Sequence, residues 1–399
     1  MTLAKRVSQV QPSQTLAITA LVDTLRREGR SIIDLGAGEP DFDTPQVAKD
    51  AAVAAIAEGY TKYTPATGSV EIRKAICEKL KRENALNYSP AEIVVTCGAK
   101  HAIINVLLAL CQEGDEVIVQ SPYWTSYVEQ VRFVGARPVI VETDERSGFK
   151  MSIGQLQGAI TAKTKMLILN SPSNPTGAVY TRQELAAIAD LVRKFDFYIL
   201  SDEIYEKIIY DGLRHESIAV FPEMRERTIV VNGVSKSYAM TGWRIGYLAA
   251  AAEIIGAVTT IQSHTTSNPT SISQRAAIAA LNANHTIIDD MVVEFKERRD
   301  YLASQLREMP GIVCPLPEGA FYMFPSVDAL FGKKYRQKPI QSSMDLCAFL
   351  LEQEGIAAVP GEAFGSPRHI RISYATSMAN LKEAVARLGR AFKALSDIN

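Results

Sequence analysis

Residues 200–246 begin Leu200-Ser-Asp202-Glu-Ile-Tyr205 and end Val231-Asn-Gly-Val-Ser-Lys236-Ser-Tyr-Ala-Met-Thr-Gly-Trp-Arg244-Ile-Gly246. Two apolar runs frame this segment, because one leads into Asp202 and the other ends shortly before Lys236. Arg244 follows a few residues later. An acid, an amine and a guanidinium at the ends of apolar strands are unusual in a packed core. Together they indicate a site for a small anionic ligand.

Short apolar runs alternate with helical patterns on the N-terminal side of this segment. Ile93-Val-Val-Thr, Glu116-Val-Ile-Val and Lys165-Met-Leu-Ile-Leu-Asn170 are examples. The alternation is the signature of a mostly parallel sheet covered by helices on both faces. Ligands of such sheets bind at the carboxyl ends of the strands, where Asp202 and Lys236 would lie. The sequence therefore predicts an α/β fold with its site at that edge.

The length of the chain predicts two domains. With 399 residues it exceeds one typical core, so we expect a large domain at 46–310 and a smaller α+β domain formed by 1–45 with 311–399. The pattern also predicts helices at about 13–28 and 271–309.

Charge and composition exclude several classes of protein. A net charge of −1 argues against nucleic-acid binding, which needs a clustered basic surface. No apolar run reaches the roughly 18 residues of a membrane span. Five scattered cysteines without a Cys-x-x-Cys pair predict neither disulfides nor a metal site. Since the N-terminus makes a poor signal peptide, we expect a cytoplasmic protein.

Motifs from Gly38-Glu-Pro-Asp-Phe-Asp to Arg371-Ile-Ser-Tyr resemble the class I aminotransferases, which are pyridoxal 5′-phosphate (PLP) enzymes of fold type I. The resemblance is nearest to the bacterial and plant aspartate aminotransferases of subgroup Ib. It implies the fold-type I architecture, PLP as cofactor, and a homodimer that shares its active sites. It also implies amino acids and 2-oxo acids as partners, with ping-pong transamination of L-aspartate and 2-oxoglutarate to oxaloacetate and L-glutamate.

The resemblance gives catalytic roles to three residues. Lys236 would form a Schiff base with the cofactor and then move the substrate Cα proton. Asp202 would pair with the ring nitrogen, since a carboxylate there favours the protonated ring. Tyr205 would hydrogen-bond the phenolic oxygen of the ring. From the residues alone, Lys236 also fits an ordinary surface lysine and Asp202 a helix N-cap.

Further residues would hold the cofactor phosphate and ring. Arg244 and Ser235 would bind the phosphate at a helix N-terminus, where backbone N–H groups and the helix dipole favour an anion. The resemblance completes the cofactor set with Gly98, Ala99, Lys100, Trp124, Asn174 and Tyr63. In this set Trp124 would stack on the ring, Asn174 would assist Tyr205, and Tyr63 would reach the phosphate of the partner subunit. Taken singly, these three also fit a core tryptophan, a plain turn and a loop aromatic.

The resemblance also implies a substrate site. Arg371 would clamp the α-carboxylate with a bidentate fork, which a lysine cannot reproduce. Around it the family motif places Gly38, Trp124, Asn174 and Phe364. Lys100 would meet the distal carboxylate, with Ser13 and Thr15 as hydrogen-bond donors. Many subgroup Ib members carry a lysine where this chain has Gln11, so the substrate range stays open.

Other functions remain to be weighed against aspartate transamination. The nearest is an aminotransferase of broader preference, for aromatic amino acids, kynurenine, alanine or prephenate. A PLP-dependent lyase or decarboxylase fits Arg371 with Asn174 less well. A PLP-binding regulatory module would need a basic DNA-binding domain. A nicotinamide oxidoreductase is the weakest alternative, because Asp41 stands where a dinucleotide fingerprint needs its third glycine.

Overall fold

A computed structural model describes residues 3–284, 286–336 and 338–397. The helices of these residues are α1 (Lys5–Ser8), α2 (Gln14–Arg27), α3 (Gln46–Ala57), α4 (Val70–Asn84), α5 (Ala99–Leu110), α6 (Ser126–Phe133), α7 (Ile153–Ala159), α8 (Arg182–Val192), α9 (Ala252–Thr265), α10 (Ser271–Asn282), α11 (Thr286–Arg307), α12 (Ser343–Glu354) and α13 (Met378–Lys393).

The strands of the same residues alternate with these helices in the first two thirds of the chain. They are β1 (Ile33–Asp34), β2 (Ile93–Thr96), β3 (Glu116–Ser121), β4 (Arg137–Glu142), β5 (Thr164–Asn170), β6 (Tyr198–Asp202), β7 (Thr228–Gly233), β8 (Gly246–Ala249), β9 (Tyr322–Met323), β10 (Lys333–Tyr335), β11 (Lys338–Pro339), β12 (Ile356–Ala357), β13 (Val359–Pro360), β14 (Ile370–Ser373) and β15 (Ser396–Asp397).

A central sheet forms the frame of the molecule, in the strand order β2-β8-β7-β6-β5-β3-β4. The strands from β7 to β4 pair in parallel, whereas β8 runs antiparallel to both of its neighbours. Alternate residues of β5 enter different apolar clusters. Met166 packs with residues of α5 and α9, and Leu167 packs with residues of α8. Both faces of the sheet are therefore covered, as the alternating pattern predicts.

The carboxyl edge of this sheet gathers the polar residues. β6 ends at Asp202, and β5 beside it ends at Asn170. β7 ends at Gly233, three residues before Lys236. Because parallel strands end at one edge, residues that are far apart in the sequence come together there.

The C-terminal part carries a second, smaller sheet that faces this edge. β14 lies between β13 and β9 and pairs antiparallel with both, which places Arg371 in its middle. One apolar cluster continues across the predicted domain boundary, and within it the rings of Phe295 and Phe321 stack with centroids 5.3 Å apart. The division into 46–310 and 1–45 with 311–399 stays a prediction.

Two helix predictions have different outcomes. The helix at about 13–28 is confirmed as α2, whose N-cap Ser13 accepts a hydrogen bond from the N–H of Leu16. The single helix at 271–309 is wrong, because α10 ends at Asn282 and α11 begins at Thr286. The break has a local cause: the Asn284 side chain accepts from the Thr286 N–H at 2.7 Å and so starts a new helix. Among the described residues, every helix is too short or too polar to span a bilayer.

Candidate active site

A cavity of about 290 Å³ opens at the carboxyl edge of the central sheet. It lies between that edge, the N-terminal helix α2 and the small sheet. Its lining includes twelve of the predicted site residues, namely Thr15, Gly38, Ala99, Lys100, Trp124, Asn174, Asp202, Tyr205, Ser235, Lys236, Arg244 and Arg371. The sequence prediction therefore converges on one place in the fold.

Asp202 lies at the floor of the cavity and is 3% exposed. Its Oδ2 accepts a hydrogen bond from the Tyr127 hydroxyl at 2.6 Å, and its Oδ1 accepts from the Ile204 N–H at 3.2 Å. Burial raises the pKa of Asp202 to about 6, although both hydrogen bonds favour the ionised form. A buried carboxylate in this state is suited to a cationic partner above it.

Lys236 reaches the cavity from the loop that follows β7. Its Nζ donates a hydrogen bond to the carbonyl oxygen of Gly38. Burial lowers the pKa of Lys236 to about 8, against the opposing effect of the Glu39 carboxylate. A lysine in this range is partly uncharged at neutral pH, so it is able to act as a nucleophile or a base.

Tyr205 is buried beside the same floor. Its hydroxyl lies 2.9 Å from the hydroxyl of Tyr322, which comes from β9 of the small sheet. Burial raises the pKa of Tyr205 well above its ordinary value, so the phenol stays protonated. The pair joins the large sheet to the small one directly under the cavity.

The start of α5 and Arg244 form a cradle for an anion. Gly98 precedes the helix with φ +87°, and a Cβ on it would lie 2.4 Å from the Arg244 guanidinium. A Cβ on Gly246 of β8 would lie 2.3 Å from the Ala99 nitrogen. These two glycines bring the guanidinium and the first N–H groups of the helix together, with Ser235 at the same cavity. Such a helix N-terminus binds a phosphate group well.

Arg371 holds the opposite wall. Its guanidinium donates to the Asn174 Oδ1 at 3.0 Å and to the Gly36 carbonyl at 2.8 Å. The rings of Tyr322 and Phe364 cover it, with centroids 4.4 and 5.0 Å from Cζ. Its buried Nε has no hydrogen-bond partner among the described residues. A buried guanidinium with a donor to spare is suited to a carboxylate ligand.

Lys100 and residues of α2 also line the cavity. The Lys100 Nζ lies 5.0 Å from the centroid of the Trp124 ring, in a cation–π contact. Thr15 lines this cavity, whereas Ser13 lines an adjoining one of about 490 Å³ together with Gln11 and Lys100. The role of Ser13 toward a substrate therefore stays a prediction, and its hydroxyl serves as the cap of α2.

Tyr63 lies outside this cavity. Its side chain is 92% exposed on the loop between α3 and α4. An exposed tyrosine is available to another subunit, and the role in the partner's site that the resemblance implies stays a prediction.

Several residues of the site did not emerge from the sequence. Tyr127 holds Asp202, Tyr322 meets Tyr205, and Thr241 accepts a hydrogen bond from Arg244 through its carbonyl at 2.8 Å. A signal for Tyr127 was present, because it stands three residues after Trp124 at the start of a helix and so faces the same side. No comparable signal marks Tyr322, which is one of several aromatics in an apolar run.

Sequence comparison places the chain among proteins of known activity. The family model "Aminotransferase class I and II" matches residues 30–388. The aspartate aminotransferase of Bacillus subtilis (strain 168) is 49% identical, over 98% of each chain. The aspartate/prephenate aminotransferase of Nitrosomonas europaea is 47% identical, over 97% of this chain and 99% of its own.

Solved structures agree with this result over the entire fold. The aspartate aminotransferase from Rhizobium meliloti matches with a TM-score of 0.96 at 45% identity, covering 99% of this chain and 100% of its own. The aspartate aminotransferase from Thermus thermophilus with maleate matches with a TM-score of 0.93 at 42% identity, over 98% and 100%. The predicted fold-type I architecture is confirmed. The chain belongs to the class I and II aminotransferase family.

Proposed function

We propose that this aminotransferase exchanges the amino group between L-aspartate and 2-oxoglutarate. The observation that carries the proposal is that one cavity is lined by both Arg371 and Lys100. Arg371 is suited to an α-carboxylate, and Lys100, beside Trp124, is a further cation for a distal carboxylate. Both substrates carry two carboxylates, so the same two cations would serve each half of a ping-pong reaction. The relative from Bacillus subtilis bears the name of this activity.

PLP is the cofactor that fits the site. Arg244, Ser235 and the N-terminus of α5 would hold its phosphate, and Asp202 would face its ring nitrogen. The ring would stack on Trp124, with Tyr205 and Asn174 beside its phenolic oxygen. When bound, PLP supplies an electron sink for the substrate Cα once its proton has been removed.

Lys236 would hold the cofactor covalently and move the proton. With a pKa of about 8, its amine is able to accept a proton from the substrate Cα near neutral pH. Arg371 would fix the α-carboxylate, and this contact orients the Cα–H bond toward the amine. Phe364 already covers the guanidinium and would exclude water from it.

A broader substrate range is the second candidate. The adjoining cavity of about 490 Å³ meets the first at Lys100, so a substrate larger than aspartate has room there. Gln11 borders it, and its backbone N–H donates to Glu129 at 2.7 Å. The relative from Nitrosomonas europaea carries prephenate in its name. Aromatic amino acids, kynurenine, alanine and prephenate belong to this candidate.

A homodimer with shared active sites completes the proposal. α3 and the following loop present large apolar side chains to solvent: Val53 is 66% exposed, Ile56 58% and Tyr63 92%. Exposed apolar groups that lie close together are typical of a protein interface. A second copy of the chain would cover them and bring Tyr63 to the phosphate of its partner. Amino acids and 2-oxo acids would be the small-molecule partners, and the cytoplasm the location.

The test begins with the absorption spectrum of the purified protein. A visible band that bleaches with aspartate well before phenylalanine would support PLP on Lys236 and an acidic amino donor. Equal bleaching by both amino acids would favour the broader range. If no band appears even after PLP is added, the proposal is wrong. Lys236→Ala should retain the fold and lose transamination, and near-normal turnover in that variant would contradict the role of Lys236.

A further inference from the structure

Six charged residues form a buried charge cluster next to Asp202, and none of them lines the cavity. Its members are Lys79, Glu83, Glu203, Glu206, Lys207 and His215. Five of their side chains are at most 8% exposed, and that of Lys207 is 24% exposed. Charges at such depth remain ionised only when each has a partner.

His215 and Glu203 make the pair nearest to Asp202. The Nε2 of His215 lies 2.9 Å from the Oε2 of Glu203. The other oxygen of Glu203 accepts hydrogen bonds from the hydroxyls of Ser201 at 2.8 Å and Ser217 at 2.6 Å. Three polar groups therefore surround this one buried carboxylate. Burial disfavours the charged imidazole, but the Glu203 carboxylate outweighs it and raises the pKa of His215.

The other four charges pair with one another, and Glu83 also pairs with the Arg82 side chain. Lys79 donates to Glu206, whose second oxygen accepts from the Asn84 amide at 2.6 Å. Lys207 lies 2.7 Å from Glu83. With His215 protonated, the six members carry three positive and three negative charges, and the partly exposed Arg82 adds a fourth positive charge beside Glu83. Neutral His215 would leave Glu203 as an uncompensated negative charge.

That charge would act first on Asp202, which is the preceding residue in the chain. The Glu203 carboxylate is one of the groups that raise the pKa of Asp202. Glu203 accepts a hydrogen bond from Ser201, whose side chain leaves β6 on the opposite face from that of Asp202, so Glu203 would be farther from a ring nitrogen held by Asp202. An uncompensated charge there would strengthen the proton affinity of Asp202 more than that of the ring nitrogen.

We propose that His215 is a positioning residue, whose proton neutralises Glu203 and so keeps the proton between Asp202 and the cofactor on the ring nitrogen. The inference rests on the proposed function, because it concerns the ring that PLP would supply. A protonated ring is the better electron sink, so the rate of transamination depends on this balance. The groups that face His215 are Glu203, Glu206 and Lys79.

The test compares holoenzymes prepared with PLP labelled with ¹⁵N at its ring nitrogen. The ¹⁵N chemical shift reports directly whether that nitrogen carries the proton. His215→Gln keeps a hydrogen-bond donor near Glu203 but removes the charge. We expect its ¹⁵N signal to move toward the unprotonated position and kcat to fall about tenfold, the equivalent of one pKa unit.

A double variant separates charge from structure. Glu203→Gln combined with His215→Gln removes both charges, so we expect the ¹⁵N shift to return to the wild-type position and kcat to recover to within about threefold. Thermal unfolding of each variant identifies any loss of fold. An unchanged ¹⁵N shift in His215→Gln, or a double variant as defective as the single one, would overturn the proposal. A wild-type protein that takes up no PLP would instead contradict the proposed function.

Discussion

The hydroxyl of Tyr127 donates a 2.6 Å hydrogen bond to the Oδ2 of Asp202, from a helix on the opposite side of the cavity floor. A hydrogen bond to a charged group is worth about 1.5–3 kcal/mol, and its loss should raise the pKa of Asp202 by one to two units. Cofactor binding needs the ionised carboxylate. In Tyr127→Phe the pH midpoint for cofactor retention after dialysis should therefore rise by about one to two units.

Tyr123→Phe is the matched control for this prediction. Tyr123 belongs to the loop before α6, and its ring lies against Gly365 instead of Asp202. Its retention curve should overlay that of the wild type. A Tyr127→Phe curve that also overlays the wild type would show that Tyr127 does not support the carboxylate.

Lys100 should discriminate between amino donors. Lys100→Ala removes one cation from the cavity wall, so only substrates with a second carboxylate lose an ionic partner. We expect KM for aspartate to rise roughly 30-fold, the equivalent of one charged hydrogen bond. KM for phenylalanine should change by less than about threefold. Equal increases in KM for both amino acids would show that Lys100 does not bind the distal carboxylate.

Tyr63 should act on the active site of the other subunit. Tyr63→Ala and Lys236→Ala should each be weakly active or inactive alone. When the two variants exchange subunits, one site of each hybrid dimer has both an intact Lys236 and an intact Tyr63. An equal mixture should therefore recover about a quarter of the wild-type sites. Activity no greater than the sum of the separate variants would place Tyr63 outside the partner's site.

Glu206 should make the free energy of unfolding depend on pH in the acid range. Burial disfavours its charge, but Lys79 outweighs this and lowers the pKa of Glu206 to about 2 from the ordinary 4.5. Because the folded pKa is lowered, this stability is present above pH 4.5 and lost as the pH falls through about 2. At pH 7, Glu206→Gln removes the nearer of two carboxylates beside the buried Lys79 ammonium and leaves Glu83 at 3.7 Å, so it should cost about 3 kcal/mol in free energy of unfolding.

The difference between wild type and Glu206→Gln should shrink as urea denaturation is repeated toward pH 3. Glu383 is the control, because it pairs with Arg387 on the exposed face of α13. Glu383→Gln should leave the urea midpoint nearly unchanged. A constant difference across pH would mean that the ionisation of Glu206 is not the source of its contribution.

Much of the fold was predictable because its information is local. Apolar runs such as that of β5 predict parallel strands. Because parallel strands end at the same edge of the sheet, the residue that follows each run is expected at the carboxyl edge. The direction of β8 was not predictable, because its four apolar residues fit a parallel strand and an antiparallel strand equally well. The break between α10 and α11 does not follow from the helical period, because the period takes no account of an asparagine side chain that accepts from the first N–H of the next helix.

The site was predictable where one residue type carries the chemistry. Charged residues beside apolar strands are not needed for packing, so they mark a binding site in the sequence; Lys236, Asp202 and Arg371 are of this kind. Tyr127 and Tyr322 act through contacts 75 and 117 residues away along the chain, so only the folded structure reveals them. The role of His215 likewise depends on the burial of Glu203.

Gly246 has a consequence for how such an enzyme is able to evolve. Any side chain at Gly246 would collide with the backbone of Ala99. The part of the anion cradle that β8 forms therefore does not tolerate substitution. The wall formed by Thr15, Leu16 and Thr19 of α2 carries side chains on a partly exposed helix and has no such restriction. New substrate preferences should therefore arise by substitutions in this N-terminal helix, while the cradle stays constant.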